Sequence, residues 1–282
     1  QPSYEYGYED TVNGDLCGEN GWYGEETLDV EAVHGIAPGA NILYVGARSC
    51  DDPDLLGFST NQSYAPGETV RFKIHTPIAS AYSIKIYRVG WYGGDGARLI
   101  ATLAQPDPVS QAACQSLTDP ADCGNWVVTD SWEIPASQVS GVYLAKLLPD
   151  PAGGSNGSHI LFVIRDDTGG SEILMQTADP TWMAYNPYPR TQLFNGGATS
   201  LYNGAARVSY DRPHRRSVAK YLRTFFGAQL HLVRFLERNG YDVSYFAGVD
   251  AARRGAEIAE HRVWISSGHD EYWSREMRDA VN

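Results

Sequence analysis

Three adjacent residues near the carboxyl end of the chain, His269, Asp270 and Glu271, carry side chains that bind metals or move protons. They lie in "SSGHDEYWS" (266–274), directly after the apolar run "VWI". Gly268 permits a sharp backbone turn before them. On an extended loop His269 and Glu271, two residues apart, point the same way, as two ligands or a base and its orienting residue would. The alternative is an acidic segment before a helix, in which His269 bonds only to the backbone.

A second set of polar and aromatic side chains falls in a loop predicted from Ala178 to about Pro213. A loop longer than about 15 residues without periodicity is usually functional or disordered, and the aromatic content argues against disorder. We predict that Trp182, Asn186 and Tyr188 contact a substrate. The alternative is an aromatic lid packed over a sheet. The relevant residues are Trp182, Tyr185, Asn186, Tyr188, Tyr202, Asn203 and Tyr210.

Both segments are expected to meet at one edge of a sheet, because strands and helices alternate over residues 171–282. The predicted strands are "EILMQT", "YDVSYF" and "RVWIS", and the predicted helices lie in "SVAKYLRTFFGAQLHLVRFLERNG", "DAARRGAEIAEH" and "REMRDAVN". Asn239-Gly240 ends the first helix and Ser274 caps the last. The alternation predicts an α/β domain with a mostly parallel sheet, whose ligands bind beyond the carboxyl ends of the strands. Three strands make an incomplete α/β domain, so we expect it to continue past Asn282.

The preceding segment, residues 57–170, reads as all-β. Apolar and polar residues alternate in "SYAPGETVRFKIHT" and "AYSIKIYRV", and "NWVVTDSWEIP", "SGVYLAKLL" and "SHILFVIRDD" follow at short, regular spacing. Short strands separated by turns predict a β-sandwich of the immunoglobulin-like type. The predicted architecture is therefore an N-terminal segment (1–56), a β-sandwich (57–170) and an incomplete α/β domain (171–282).

Composition excludes several classes of partner. The chain has 282 residues and a formal net charge of −12, which disfavours a nucleic-acid partner. No apolar run reaches the roughly 18 residues of a membrane span. Four cysteines without a CxxC pair permit two disulfides, one closing the loop between Cys114 and Cys123 and another joining Cys17 and Cys50. With the sequons at Asn61 and Asn156, these cysteines predict a secreted or extracytoplasmic protein.

Motifs in a specific order carry a resemblance to a known family. "TWMAYNPY", "SLYNG", "VSYDRP", "FLERNGYDVSYF" and "SSGHDEYWS" resemble the catalytic region of the N,N-dimethylformamidase large (beta) subunit family. "SYAPGETVRFKIHT" and "YSIKIYRVGWYGGDGAR" resemble its preceding immunoglobulin-like domain, so the resemblance spans about residues 57–282. It implies hydrolysis of a small amide at a mononuclear iron held by two tyrosines and a glutamate, with a histidine close by. It also implies further catalytic residues beyond Asn282.

The resemblance assigns the ligands residue by residue. Glu271 and His269 match the glutamate and histidine, and Tyr185 and Tyr202 match the tyrosines, with Tyr188 and Tyr210 as competitors. A phenol has a pKa near 10, so phenolate ligation at neutral pH calls for a strong Lewis acid such as Fe(III). Such a metal would polarise an amide carbonyl, and His269 or Asp270 would carry a proton to the leaving amine.

The N-terminal segment shows a different resemblance. "GEETLDVEAVHGIAPGANILYVGARSC" resembles the part of the sedolisin (serine-carboxyl) peptidases that carries their catalytic acids, and Glu25 and Asp29 fit its Glu-x-x-x-Asp spacing. The Gly-Thr-Ser context of that family's nucleophile is missing from this sequence. The alternative is an acidic amphipathic helix followed by an edge strand.

These observations predict an iron-dependent amidohydrolase acting on a small amide substrate. One alternative is a secreted, non-catalytic binding or structural module with a degenerate α/β domain, and a second is a serine-carboxyl peptidase remnant. The sequence leaves open an oligomer or a small partner subunit.

Overall fold

The described part of the chain is mostly β, with three sheets and few helices. The computed structural model describes residues 55–76, 81–105, 108–117, 120–149, 158–189, 193, 205–214 and 224–282, and within those ranges no sheet closes into a barrel. The strands are β1 (Leu56–Ser59), β2 (Ser63–Tyr64), β3 (Thr69–His75), β4 (Tyr82–Val89), β5 (Ala97–Gln105), β6 (Asp130–Glu133), β7 (Gly141–Pro149), β8 (His159–Ile164), β9 (Ile173–Gln176), β10 (Val243–Phe246) and β11 (Val263–Ser266).

The helices concentrate in the carboxyl-terminal part of the described chain. They are α1 (Asp179–Tyr185), a π-helical turn (Phe225–Gln229) that leads into α2 (Leu230–Arg238), α3 (Gly248–Arg253), a 3-10 helix (Gly255–Glu260) and α4 (Arg275–Val281), with a short 3-10 turn at Tyr92–Gly94.

Two sheets share the first hydrophobic core. One has the order β1-β3-β6 and the other the order β2-β8-β7-β4-β5. Alternate residues of each strand point inward, as the two-residue period of a strand requires: Val70, Phe72 and Ile74 of β3 are fully buried, and so are Ile84 and Ile86 of β4. These residues meet across the two sheets in one cluster. The predicted β-sandwich of the immunoglobulin-like type stays a prediction.

The third sheet is small and parallel. Its order is β10-β9-β11, so the first strand in sequence lies at the centre. All four residues of β9 are buried, which is typical of a parallel strand covered on both faces. The strands predicted in "EILMQT", "YDVSYF" and "RVWIS" are confirmed.

A second core joins this parallel sheet to the five-stranded sheet. Val89, Val142 and Val163 of the five-stranded sheet belong to the same buried cluster as Met175, Val233 and Tyr245. A buried ion pair adds to the junction, since Nη2 of Arg88 on β4 lies 2.8 Å from Oε1 of Glu237 on α2. The two regions therefore pack as one body.

Three local predictions were wrong. The segment predicted as a loop from Ala178 begins with α1. The helix predicted over "DAARRGAEIAEH" breaks at Arg254 into α3 and a 3-10 helix, and Gly255 after the break packs so closely on α4 that an added Cβ would lie 2.4 Å from Ala280 Cβ. In "NWVVTDSWEIP" only Asp130–Glu133 is a strand.

Other local predictions are confirmed. α2 ends at Asn239, followed by Gly240 at φ +71°, a left-handed conformation that favours glycine. Ser274 Oγ caps α4 by accepting a hydrogen bond from Met277 N at 3.2 Å. Cys114 and Cys123 form a disulfide, whereas Cys17 and Cys50 lie outside the described residues. Among the described helices none is long and apolar enough to cross a membrane.

Candidate functional site

The candidate site forms where β9 and β11 end side by side. Gln176 of β9 is in register with Ser266 of β11, so the chain leaves both strands at one edge. After β9 it enters α1, and after β11 it enters residues 267–274, called here the 267–274 loop. Gly268 takes φ +73°, and a Cβ there would lie 2.5 Å from Ala228 Cβ, so both the turn and the packing require glycine.

Helix α1 places Tyr185 over this loop. Pro180 lies in its first turn, where a fixed φ and a missing N–H are tolerated, and Asp179 puts a carboxylate at the amino-terminal end. These features start a helix that the aperiodic sequence did not reveal. Thr181 and Tyr185 are four residues apart and so lie on one face of α1.

The Tyr185 phenol, the Glu271 carboxylate and the His269 imidazole come together at this edge. Tyr185 Oη donates a hydrogen bond to Glu271 Oε1. His269 Nε2 lies 3.1 Å from Glu271 Oε2, and the Tyr185 and His269 ring centroids are 5.2 Å apart. Three of the residues singled out in the sequence are thus neighbours in space.

The cluster is open to solvent on one side. Tyr185 is buried, but the side chains of His269 and Glu271 keep 34% and 44% of their exposure. A small molecule can therefore reach the carboxylate and imidazole without any rearrangement of the core.

A further phenol, Tyr272, lies beside the cluster. Its ring packs edge-on against Tyr185 with centroids 5.7 Å apart. Burial, and then the neighbouring Glu271 carboxylate, raise the pKa of the Tyr272 phenol, while a hydrogen bond with the Tyr185 side chain opposes the rise. Tyr272 was not among the residues predicted from the sequence.

Asp270 points towards the strand ends. Its Oδ2 accepts hydrogen bonds from Ser266 Oγ and, at 3.3 Å, from Gln176 Nε2. Thr181 Oγ1 lies 3.5 Å from its Oδ1. Burial raises the pKa of the Asp270 carboxyl, and the hydrogen bonds from Ser266 and Gln176 counteract part of that rise. Asp270 thus links β9, β11 and α1.

Gln229 is a second link that sequence reasoning missed. It is fully buried in the π-helical turn. Its Nε2 donates to Gln176 O at 3.2 Å and Ser267 O at 3.0 Å, and its Oε1 accepts from Ala178 N at 3.2 Å. One amide side chain therefore satisfies three backbone groups at the ends of β9 and β11. The sequence signal for this role was weak: a polar residue within a segment predicted to be an amphipathic helix.

The predicted substrate-contacting residues are largely buried. Trp182 packs edge-on against Phe225, although its Nε1 has no hydrogen-bond partner among the described residues. Asn186 is buried and donates through Nδ2 to Pro213 O at 2.9 Å. Tyr188 is half-buried and packs edge-on against Trp126. Their contact with a substrate stays a prediction.

The buried side chains of Asp179 and Arg212 form hydrogen bonds around α1. Asp179 Oδ2 accepts a hydrogen bond from Tyr210 Oη at 3.1 Å, and this contact occupies one of the tyrosines that compete with Tyr202 as a ligand. Arg212 donates to the carbonyl oxygens of Met183, Asn186 and Tyr188, which holds the carboxyl end of α1. Burial lowers the pKa of Arg212 to about 10.

Several predicted residues lie outside the described ranges, namely Tyr202 and the peptidase-like pair Glu25 and Asp29. Within the described ranges no three His, Cys, Asp or Glu side chains are grouped to hold a metal ion. The donor set predicted from the sequence is of another kind, two phenols and one carboxylate, of which Tyr185 and Glu271 are in contact.

One family and two solved structures are similar to this chain to different degrees. A family model described as "N,N-dimethylformamidase beta subunit-like, C-terminal" matches residues 83–282. A search of curated proteins found no match. Murine CEACAM1b is 13% identical with a TM-score of 0.21, over 44% of this chain and 63% of that one. A family 123 glycoside hydrolase from Clostridium perfringens is 12% identical with a TM-score of 0.16, over 44% of this chain and 27% of that one.

Both solved structures are matched over less than two thirds of their length, at TM-scores too low to support a conclusion about the fold. The described chain combines layered β-sheets with a small parallel sheet whose carboxyl edge carries a phenol, a carboxylate and an imidazole. The family match covers most of the chain, and the chain belongs to the N,N-dimethylformamidase beta subunit-like family.

Proposed function

We propose that this chain hydrolyses the carbon–nitrogen bond of a small amide at the edge formed by β9 and β11, with Fe(III) as cofactor. The observation that carries the proposal is the contact of the Tyr185 phenol with the Glu271 carboxylate, with His269 Nε2 at 3.1 Å from that carboxylate. The family's description as dimethylformamidase-like supports the same reaction class.

The residues present fit a hard, strongly Lewis-acidic metal. A phenol and a carboxylate, in contact through their oxygen atoms, are hard donors. Tyr185 and Glu271 would hold the metal, together with Tyr202. A bound Fe(III) would supply Lewis acidity to the amide carbonyl.

We assign the proton transfers to residues of this chain. We assign proton transfer to His269, because its imidazole contacts Glu271 and is partly open to solvent. It would take a proton from the attacking water and return it to the leaving nitrogen. We assign Asp270 a holding role, because its carboxylate is engaged by Ser266 and Gln176. Gln176 Oε1 and Ser267 Oγ are buried without a partner in the described chain and would bind a water or a polar group of the substrate.

Iron content and the visible spectrum test the proposal. We expect about one iron per chain and a phenolate-to-Fe(III) band in the purified protein. Glu271→Ala should lose the metal and the amidase activity, because a hard anionic donor is removed. Tyr185→Phe and Tyr202→Phe should each weaken the band. Tyr241→Phe is a matched control, since Tyr241 is an exposed phenol that packs on Phe235, and it should leave the band unchanged.

An unchanged metal content in Glu271→Ala would contradict the proposal. Absence of iron from folded protein that has been offered Fe(III) would also contradict it, and would favour the non-catalytic binding module instead.

Two further properties belong to the same proposal. The family's description names a beta subunit, so we propose that the chain assembles with a partner subunit or with copies of itself. Light scattering on a size-exclusion column would measure the mass against the 31.0 kDa of one chain.

We also propose export from the cytoplasm, in keeping with the Cys114–Cys123 disulfide.

A further inference from the structure

Thr181 occupies the point where helix α1 meets the 267–274 loop. Its side chain is fully buried. Its Oγ1 accepts hydrogen bonds from Glu271 N at 2.9 Å and Tyr272 N at 3.1 Å, and it lies 3.5 Å from Asp270 Oδ1. A threonine hydroxyl has one donor and two acceptor sites, so these three contacts use its full capacity.

The hydroxyl thereby sets the position of Glu271 relative to Tyr185. Thr181 and Tyr185 share one face of α1, and Tyr185 donates to the Glu271 carboxylate. The same helix therefore holds Glu271 twice, by its backbone N–H through Thr181 and by its carboxylate through Tyr185. Without the first contact, the loop segment carrying Glu271 would lose a backbone anchor to α1.

Other groups cannot easily replace this contact. The Glu271 and Tyr272 N–H groups both donate to the one hydroxyl oxygen, which belongs to a fully buried side chain. N–H groups that lose this acceptor cost free energy, so the loop would move until water or another acceptor reached them.

We propose that Thr181 is a positioning residue, whose hydroxyl fixes the 267–274 loop so that the Glu271 carboxylate meets the Tyr185 phenol. The inference rests on the proposed function in one respect only, namely that this pair serves the reaction. The positioning itself is measurable without metal.

The first test compares Thr181→Val with Thr181→Ser in metal-free protein. Valine keeps the shape and removes the hydroxyl, whereas serine keeps the hydroxyl. Hydrogen exchange of residues 267–274 should accelerate about tenfold or more in Thr181→Val, because two N–H groups lose their acceptor, and should stay near wild type in Thr181→Ser. Exchange of β3 and β4 serves as the control for global folding and should be unchanged.

The second readout reports on the Tyr185–Glu271 contact. The measurement is NMR on protein labelled with 13C-tyrosine. The Tyr185 signal is the one that disappears in Tyr185→Phe. Its change in chemical shift in Glu271→Gln shows where the signal lies when the hydrogen bond to the carboxylate is altered. Thr181→Val should move the signal towards its position in Glu271→Gln, and Thr181→Ser should not. Normal exchange protection in Thr181→Val, or an unmoved Tyr185 signal, would overturn the positioning role.

Iron binding separates the two proposals. If wild-type protein binds Fe(III), Thr181→Val should bind it about 10- to 100-fold more weakly, as expected when a residue that orients a ligand is lost, and Thr181→Ser should bind it as wild type does. Equal iron affinity in Thr181→Val would overturn the link between positioning and the metal. If wild type binds no iron, the proposed function fails, while the metal-free readouts still decide whether Thr181 positions Glu271.

Discussion

The Asp179 carboxyl group, near the candidate site, accepts four hydrogen bonds. Oδ1 accepts from Thr177 Oγ1 at 2.8 Å and from Gly248 N, and Oδ2 accepts from Val249 N at 3.2 Å and Tyr210 Oη at 3.1 Å. Four donors suit the ionised form, yet complete burial outweighs them and raises the pKa of Asp179 to about 6.

This pKa predicts how stability depends on pH. Between the ordinary value of 3.8 and about 6, the folded chain holds a proton that the unfolded chain has lost. The free energy of unfolding contributed by Asp179 therefore rises as pH falls from 7 through 6. Asp179→Asn removes this titration, so the stability of wild type relative to the variant should increase by about 1 kcal/mol between pH 7 and pH 5. Urea unfolding at both pH values measures it.

The matched control is Asp279→Asn, since Asp279 is exposed on α4. It measures how much the loss of one exposed carboxylate changes the stability at each pH. If the stability of wild type minus that of Asp179→Asn stays constant or falls between pH 7 and pH 5, the prediction is wrong and the folded chain does not take up this proton.

At this scale the sequence revealed the side chains to which we assign chemistry but not those that hold them. His269 and Glu271 stand out because their types and spacing are informative in themselves. Thr181 and Gln229 act through backbone groups far away in sequence, such as the N–H of Glu271, and nothing local marks those partners. The same holds for three of the four donors to Asp179, which come from α3 and from Tyr210.

Among the elements, the π-helical turn before α2 ties the ends of β9 and β11 together through Gln229. Gln229→Leu would leave Ala178 N, Gln176 O and Ser267 O without this partner. Buried backbone groups without partners cost about 1–3 kcal/mol, so we expect a loss of stability of at least about 2 kcal/mol in denaturant unfolding. His231→Leu, at an exposed position of α2, should change stability by less than about 0.5 kcal/mol.

A Gln229→Leu variant as stable as wild type would mean that the strand ends are held by the β9–β11 ladder alone. If the strand ends do loosen, the 267–274 loop should exchange faster as well, because Ser267 O belongs to that loop.

Elements with a strong apolar pattern were predicted correctly, and elements without one were missed. The alternation in β3 and β4 and the short apolar runs of β9 and β10 gave correct strands. Helix α1 was hidden because every residue of it except Pro180 is buried, so it shows no amphipathic period. The end of α3 lies beside the close contact of Gly255 with α4, a tertiary feature that no local pattern shows.

For the molecule as a whole, the shared core and the Arg88–Glu237 pair predict that the layered sheets and the parallel sheet unfold together. The Glu237 carboxylate contacts Nη1 and Nη2 of Arg88. It also accepts hydrogen bonds from Trp91 N at 3.2 Å and Tyr245 Oη at 3.1 Å. The side chains of Arg88 and Glu237 are 11% and 15% exposed, so the pair is largely shielded from water.

Glu237→Gln should therefore lower the stability of both regions by the same amount. It leaves the Arg88 charge buried without its carboxylate, which we expect to cost about 2–3 kcal/mol, less than a fully buried pair because some water reaches it. Hydrogen exchange against denaturant should show β7 and β10 opening in one transition, at a lower midpoint than in wild type. Glu133→Gln, on the exposed face of β6, should leave the midpoint unchanged. Loss of protection in β10 alone would mean that the parallel sheet unfolds independently, and that the apolar cluster across the junction does not couple it to the layered sheets.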